Sequence, residues 1–396
     1  MNTENHFLPL ERERHWSASG LNRRREKVFK WLAISLIVVM VSGWAFSIVD
    51  LISRRDEAKV SSLPASASSG AKAAAARQEP VVATRTITSA LLDPRTKSTA
   101  FLNEAAMTYL TPLRGSSGKL RAVFRTPGEG LSSRRPSAPV SVRYSTGAGN
   151  EVASSGLAAP IEPGIYEMAV ELNRARQAVK DLKIITLVPF EEKRGGKIGL
   201  YYLGSWPFEN GGQPKSPAYA NPDGFIRVTQ QNQDTYVSQH FRLRDFLTKD
   251  QGNVWPKYLL LQTPLLDKLE LVIAELEAQG HIIKHVQVMS GFRTPRYNHG
   301  GGNTGGRANL SRHMYGDGAD IFVDNDRNSM LDDLNRDGRV DVRDAEVMSR
   351  AAEAVERKFP ALVGGIGTYV ACCGHGPFTH VDVRGHRARW RGTGNG

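Results

Sequence analysis

Nineteen consecutive residues, from Trp31 to Val49, carry no charge. At 1.5 Å per residue such a run nearly spans the ~30 Å hydrocarbon core of a bilayer, so the sequence predicts a transmembrane helix over residues 31–52. Seven basic residues, Arg12, Arg14, Arg23, Arg24, Arg25, Lys27 and Lys30, precede it. After it, Arg54, Arg55 and Lys59 are partly offset by Asp50, Asp56 and Glu57. That asymmetry places a cytoplasmic tail at 1–30 and the rest of the chain beyond the membrane. A cleaved signal peptide is the rival, but its apolar region usually stops after ~7–15 residues at a small-residue site. Here Trp44, Phe46 and Ile48 occupy that end.

The remaining chain is long enough for two or three folded units at ~150 residues per domain. Its 52 Lys+Arg against 40 Asp+Glu imply attraction to something acidic: nucleic acid, anionic headgroups or a carboxylate-bearing wall. Export and the lack of a nucleic-acid motif exclude the first. Two cysteines rule out a disulfide-rich scaffold, and Cys372 and Cys373 are neighbours. A bridge between neighbours closes a strained ring, so two thiols or an intermolecular contact are expected.

Residues 53–110 read as a flexible linker, because the Ala/Ser-rich stretch 60–80 has no aromatic residue to seed a core. Over 111–235 short apolar runs at Leu120–Phe124, Val140–Tyr144, Ile165–Val170, Ile184–Pro189 and Gly199–Leu203 are punctuated by Gly and Pro, which predicts a small β-rich domain. Tyr201, Tyr202 and Trp206 are either core residues or a surface for stacking carbohydrate. From 236 helical signals appear. Thr263 is placed to cap a helix with Pro264 at its first turn, a stripe Leu266, Leu269, Val272, Ile273 and Leu276 follows, and Gly280 ends it. A strand is expected at Ile283–Met289.

Three ordered motifs then carry chemistry. The first is Ser290-Gly291-Phe292-Arg293-Thr294-Pro295. The second is Ser311-Arg312-His313-Met314-Tyr315-Gly316-Asp317-Gly318-Ala319-Asp320. The third is His380-Val381-Asp382 followed by Arg387-Ala388-Arg389-Trp390. Together they resemble the zinc D-alanyl-D-alanine peptidases and murein endopeptidases of the Hedgehog-type fold, most nearly the K-type murein endopeptidase branch. The resemblance covers residues 240–392 and implies an α+β zinc peptidase domain at 236–396. Its implied partners are peptidoglycan stem peptides, and its implied location is the periplasmic face of the inner membrane.

The residue types suit that chemistry. A catalytic zinc site takes three nitrogen or oxygen ligands and leaves a fourth position for water; His313, Asp320 and His380 supply that number. Gly316 and Gly318 permit a tight path between a ligand on a loop and another at the start of the apolar run Ile321-Phe322-Val323. A base must still take a proton. Many members of the family have an acid three residues before the last histidine, where this chain has Pro377, and the assignment stays open between two residues. Asp382 shares a strand face with His380 and would be base or orienter. His375 matches a histidine found beside the metal in some related endopeptidases. The resemblance implies that Arg293 faces the site, holding a substrate carboxylate or a developing oxyanion, and Ser311 is expected to orient a ligand or substrate.

Residues 333–344 fit a calcium-loop pattern, with Asp333, Asn335, Asp337, Asp341 and Asp344 at the oxygen positions and Gly338 at the turn. Asp344 stands where Glu is usual, and the exiting helix is expected from Ala345 toward Lys358. The function expected is a membrane-anchored zinc metallopeptidase, endopeptidase or D,D-carboxypeptidase, with calcium at the loop. The alternative is an inactive wall-binding or scaffolding protein on a peptidase fold.

Overall fold

The computed structural model describes residues 86–93, 102, 104–132, 140–152, 156–172, 175–214, 216–300, 307–372 and 374–393. The expected cytoplasmic tail and transmembrane run lie outside them. Among the described residues no helix is long and apolar enough to cross a membrane. The architecture is mixed α/β, with several sheets and few helices.

The N-terminal sheet comprises β1 (Val123–Arg125), β2 (Ser141–Thr146), β3 (Glu151–Val152), β4 (Gly164–Leu172) and β5 (Ala175–Thr186), in the order β1-β5-β4-β2-β3. The alternation expected of a strand with one buried face is visible in β4, where Tyr166, Met168, Val170 and Leu172 are buried. Their core also takes in Ile87, Leu92, Leu102, Tyr109 and Leu110, the last two from α1 (Glu104–Leu110). The expected linker therefore ends earlier than 110. Its final third supplies enough apolar side chains to pack, and Ile87 bridges Val179.

The expected boundary at 235/236 also shifts. Ile185, Val188, Ile198, Tyr201, Leu203, Trp206, Phe225, Ile226 and Val228 join the core of the C-terminal sheet, as does Ala122, while most buried apolar residues up to Ile184 fill the other core. The strands β6 (Val188–Pro189), β7 (Lys197–Ile198), β8 (Tyr201–Tyr202), β9 (Gly224–Val228) and β10 (Lys257–Leu259) thus belong with the site's support. Tyr201 and Trp206 are buried. Tyr202 is exposed and carries Lys197 and Arg296 near its ring, at 5.4 and 5.1 Å.

The C-terminal sheet has the order β11-β12-β14-β13-β15, from β11 (Val286–Ser290), β12 (Gly318–Val323), β13 (Gly365–Tyr369), β14 (Phe378–Asp382) and β15 (Ala388–Gly392). Helices α2 (Thr263–Ala278) and α4 (Val342–Lys358) pack on each other, and α4 lies on β13 and β14; α3 (Pro295–Gly300) is a short helix beside the site. Every residue of β12 and β14 is buried, as expected for inner strands covered on both faces. The N-cap of α2 is Gln262, one residue before the expected Thr263, and makes no side-chain cap. The α4 start is sharper than expected. Asp341 and Asp344 form a capping box there, which satisfies backbone N–H groups that a helix start leaves unpaired.

Candidate metal centre

Register brings the candidate ligands together. Asp320 on β12 pairs directly with His380 on β14, and directly opposed residues of an antiparallel pair project from the same face. His313 arrives from a short 3-10 turn, Arg312–Tyr315, closed by Gly316 at φ +68. That left-handed conformation favours glycine, and a Cβ there would stand 2.5 Å from the Leu260 carbonyl carbon.

Three donor atoms converge. His380 Nδ1 lies 2.8 Å from Asp320 Oδ1, His313 Nε2 lies 3.3 Å from the same oxygen, and the two nitrogens are 3.2 Å apart. All three residues are buried, and the group can hold a metal ion.

Each ligand is oriented from behind. His313 Nδ1–H donates to the Gly291 carbonyl at 2.7 Å, which leaves Nε2 as the lone-pair nitrogen. His380 Nε2–H donates to Asp382 Oδ2 at 3.1 Å, leaving Nδ1 toward the other donors. Arg293 holds Asp320 Oδ2 at 2.6 Å and braces itself on the Ser290 hydroxyl at 2.8 Å, so Oδ1 alone faces the histidines. The Arg293 backbone N–H also donates to the His313 carbonyl. The Ser-Gly-Phe-Arg element is therefore a cradle for the first histidine and the carboxylate together.

The electrostatics follow from these contacts. Burial, reinforced by the Arg293 charge, lowers the His313 pKa to about 4. Burial pushes Asp320 upward, but His313, Arg293 and the hydrogen bonds to both histidines hold it well below the usual carboxylate range. For His380 burial opposes the charge, yet Asp320 and Asp382 together hold it above its ordinary value.

The group opens on a cavity of about 610 Å³. Among the described residues lining it, Asp320 is the one carboxylate, while His375, Ser311, Arg293, Arg307, Arg312 and Arg384 also reach the wall. The cavity wall separates the two residues, Asp382 and His375. Asp382 is fully buried, sits behind His380 and does not line the cavity; its oxygens take Gly365 N–H at 2.8 Å and the Arg384 side chain at 2.9 and 3.0 Å. Its position is that of an orienting residue, one of the two roles its spacing from His380 allowed. His375 does line the cavity. Its Nδ1–H donates to the Gly376 carbonyl at 2.8 Å, which makes Nε2 the basic nitrogen.

Two tryptophans singled out in the sequence turn out to support the group. Trp206 Nε1–H donates to the Met314 carbonyl at 3.0 Å, tying the strand-poor region before α2 to the His313 turn. Trp390 lies 5.2 Å from the His380 ring, centroid to centroid, and donates to the Tyr369 hydroxyl at 2.8 Å.

The carboxylates of the expected calcium loop are spread out. No three carboxylates among Asp333, Asp337, Asp341 and Asp344 present oxygens within 4.8 Å of one another, a spacing that neighbouring Asp324, Asp326 and Asp332 do meet. Asp344 Oδ1 accepts from Leu334 and Asn335 N–H, and Oδ2 from Asp341 N–H. Asp341 is paired with Arg343. Asp333 and Asn335 both accept from Asp337 N–H. The oxygens of the loop accept from its own backbone and cap α4.

Cys372 is disulfide-bonded, so the expectation of two thiols fails; Cys373 lies outside the described residues. Cys372 and His375 exchange backbone hydrogen bonds of 3.1 and 2.9 Å, a tight turn that the ring-strain argument did not consider. A comparison of the chain with protein-family models, curated proteins and solved structures finds no match.

Proposed function

We propose that the chain is a membrane-anchored, extracytoplasmic zinc metallopeptidase that hydrolyses D-amino-acid amide bonds in peptidoglycan peptides. The observation that carries this reading is the triangle of His313 Nε2, Asp320 Oδ1 and His380 Nδ1 at the floor of a cavity. A tetrahedron with bonds of about 2.0–2.1 Å has edges of about 3.3–3.4 Å; the three edges here measure 2.8, 3.2 and 3.3 Å. Two imidazoles with one carboxylate suit zinc, whereas magnesium and calcium favour all-oxygen sets.

Zinc held by these three residues would act as a Lewis acid on a carbonyl and bring the pKa of a water toward ~7. The chain's own residues supply the rest. Asp382 and the Gly291 carbonyl fix which nitrogen of each histidine faces the ion, and Arg293 keeps Asp320 single-pronged. His375 Nε2 takes the proton from the attacking water and returns it to the leaving amine. The α+β sheet bearing α2 and α4, the three ordered motifs and the apolar run Trp31–Val49 support a Hedgehog-type peptidase tethered at the membrane.

The test is made on the full-length chain purified in detergent. Zinc content is measured, and cross-linked muropeptides are digested and read by mass spectrometry. About one zinc per chain, with cleavage lost in His313→Ala, is the result expected. A zinc-loaded chain that leaves every muropeptide intact overturns the reading.

A further inference from the structure

The wall of the cavity over the metal group carries a phenol, Tyr369, at the C-terminal end of β13. Its place follows from the register of the sheet. Tyr369 opposes Phe378 on β14, while Gly367, two residues earlier and on the same strand face, opposes His380. The bare backbone at Gly367 lets the Trp390 indole lie against the strand, since a Cβ there would collide with its ring. The indole thereby meets both groups: its centroid is 5.2 Å from that of His380, and its Nε1–H donates to the Tyr369 hydroxyl at 2.8 Å. The Tyr369 ring is also stacked on Phe378, with centroids 4.4 Å apart and planes at 7°. Ring and oxygen are both held.

That hydrogen bond decides what the phenol can do. A tyrosine hydroxyl accepts on its oxygen and has one proton to give. The oxygen already accepts from Trp390, and among the described residues none accepts the proton. The proton is left for the cavity. Burial raises the Tyr369 pKa, and the Asp320 charge adds to this against the Trp390 hydrogen bond and the Arg293 charge, so the group remains a donor at neutral pH. The arginines of the same wall are engaged elsewhere. Arg293, expected from the resemblance to meet a developing oxyanion, gives Nη2 to Asp320 and Nε to Ser290. Arg312 is paired with Asp317 and Arg384 with Asp382.

We infer that Tyr369 is a catalytic residue, whose O–H donates to the oxygen of the scissile carbonyl as negative charge develops there. The inference rests on the peptidase reading. The proton stays on the phenol: no bond forms or breaks at Tyr369, and His375 remains the group that moves the proton of the attacking water. A donor fixed before the substrate arrives needs no reorganisation when the charge appears, which is the condition under which such donors act most strongly.

The test uses two ligands that are not cut, on the full-length, zinc-loaded chain. In a phosphinate peptide, an anionic tetrahedral phosphorus stands in for the carbonyl carbon under attack. In a ketomethylene peptide of the same sequence, the carbonyl stays planar and uncharged. Tyr369→Phe keeps the ring and its stack and removes the hydroxyl. Phosphinate affinity, read by calorimetry, is expected to fall about 10²–10³-fold, the cost of removing one such donor. The kcat for muropeptides should fall by a similar factor, with KM, zinc affinity and ketomethylene affinity unchanged. A variant that binds the phosphinate as well as the unmodified chain does overturns the inference. So does one that loses zinc and both ligands together, since the hydroxyl would then act only through Trp390 and the fold. Failure of the unmodified chain to prefer the phosphinate overturns it too. If the unmodified chain cuts no muropeptide yet Tyr369→Phe loses the phosphinate preference, the peptidase reading falls and the donor to a tetrahedral anion stands. If both chains cut muropeptides equally well, the peptidase reading stands and the role of Tyr369 falls.

Discussion

His380 reaches Asp382 through Nε2 at 3.1 Å and Asp320 through Nδ1 at 2.8 Å, so one imidazole ring stands between a carboxylate that can bind a metal and a carboxylate that cannot. The two acids therefore have separable effects. Asp382→Asn removes the charge behind the ring, and zinc affinity should fall about 10–100-fold, the usual cost of losing such an orienting partner. His375→Ala should leave zinc affinity near its original value while hydrolysis drops about 10²–10⁴-fold, as for loss of a general base. Chelator competition and muropeptide turnover read the two quantities. An Asp382→Asn variant with full zinc affinity but no turnover would return the base to Asp382.

Zinc uptake should release protons in a pH-dependent way. The metal needs the lone pair on His380 Nδ1, and in the metal-free chain His380 is held above its ordinary 6.5 by Asp320 and Asp382 against the effect of burial. Below that raised value the proton competes, so affinity rises with pH until His380 has titrated and is level thereafter. His313, lowered to about 4 by burial and Arg293, is already neutral at pH 6 and adds a second proton only in strong acid. Calorimetry in buffers of different ionisation enthalpy should find about one proton released per zinc at pH 6. Release of none would mean that Nδ1 is not a ligand.

The candidate metal-holding residues were legible in the sequence because motif order is a property of the chain, and the β12–β14 register then placed Asp320 opposite His380. The role of Asp382 was half legible. A spacing of two on a strand correctly put it beside His380, but only the third dimension tells which ring nitrogen it meets and on which side the cavity lies. The domain boundary was illegible for a different reason. Residues 185–228 have the same short, Gly-punctuated texture as the strands before them, and composition does not record that Trp206 bonds to Met314 across 108 positions. In the loop 333–344 oxygen-bearing residues at the right intervals are also what a capped helix start needs, and here Asp341 and Asp344 serve the helix.

A buried ion pair behind the sheet offers a stability test away from the cavity. Lys268 on α2 is fully buried; its ammonium donates to Glu356 at 2.6 Å and to the Asp382 carbonyl at 2.7 Å. Breaking one side of such a pair strands the other charge, at a cost of about 3–5 kcal/mol. Lys268→Met should lower the thermal midpoint by many degrees and loosen zinc binding as well, since the backbone of Asp382 loses its anchor. Thermal unfolding with and without zinc checks both effects. A midpoint within a degree or two of the unmodified chain would show that Arg389, the other cation on Glu356, carries the carboxylate alone.

Gly365 makes the sharpest test of how closely Asp382 must fit. Its N–H donates to Asp382 Oδ1 at 2.8 Å, and a Cβ built on it would collide with the Asp382 carboxylate, the Arg384 guanidinium and the Trp390 ring. A single methyl group thus meets three of the groups that hold His380 in place. The carboxylate must move for Gly365→Ala to fold, and overpacking of this kind costs about 1–3 kcal/mol. Zinc affinity should fall in the same variant although no ligand has changed, because a displaced Asp382 no longer fixes Nε2 as the protonated nitrogen. Gly385→Ala, at an open turn with φ +85 where a Cβ meets nothing within 4 Å, is the comparison: backbone strain lowers its stability while zinc affinity holds. If both variants lose stability and neither loses zinc affinity, the orientation of His380 does not depend on the Asp382 carboxylate.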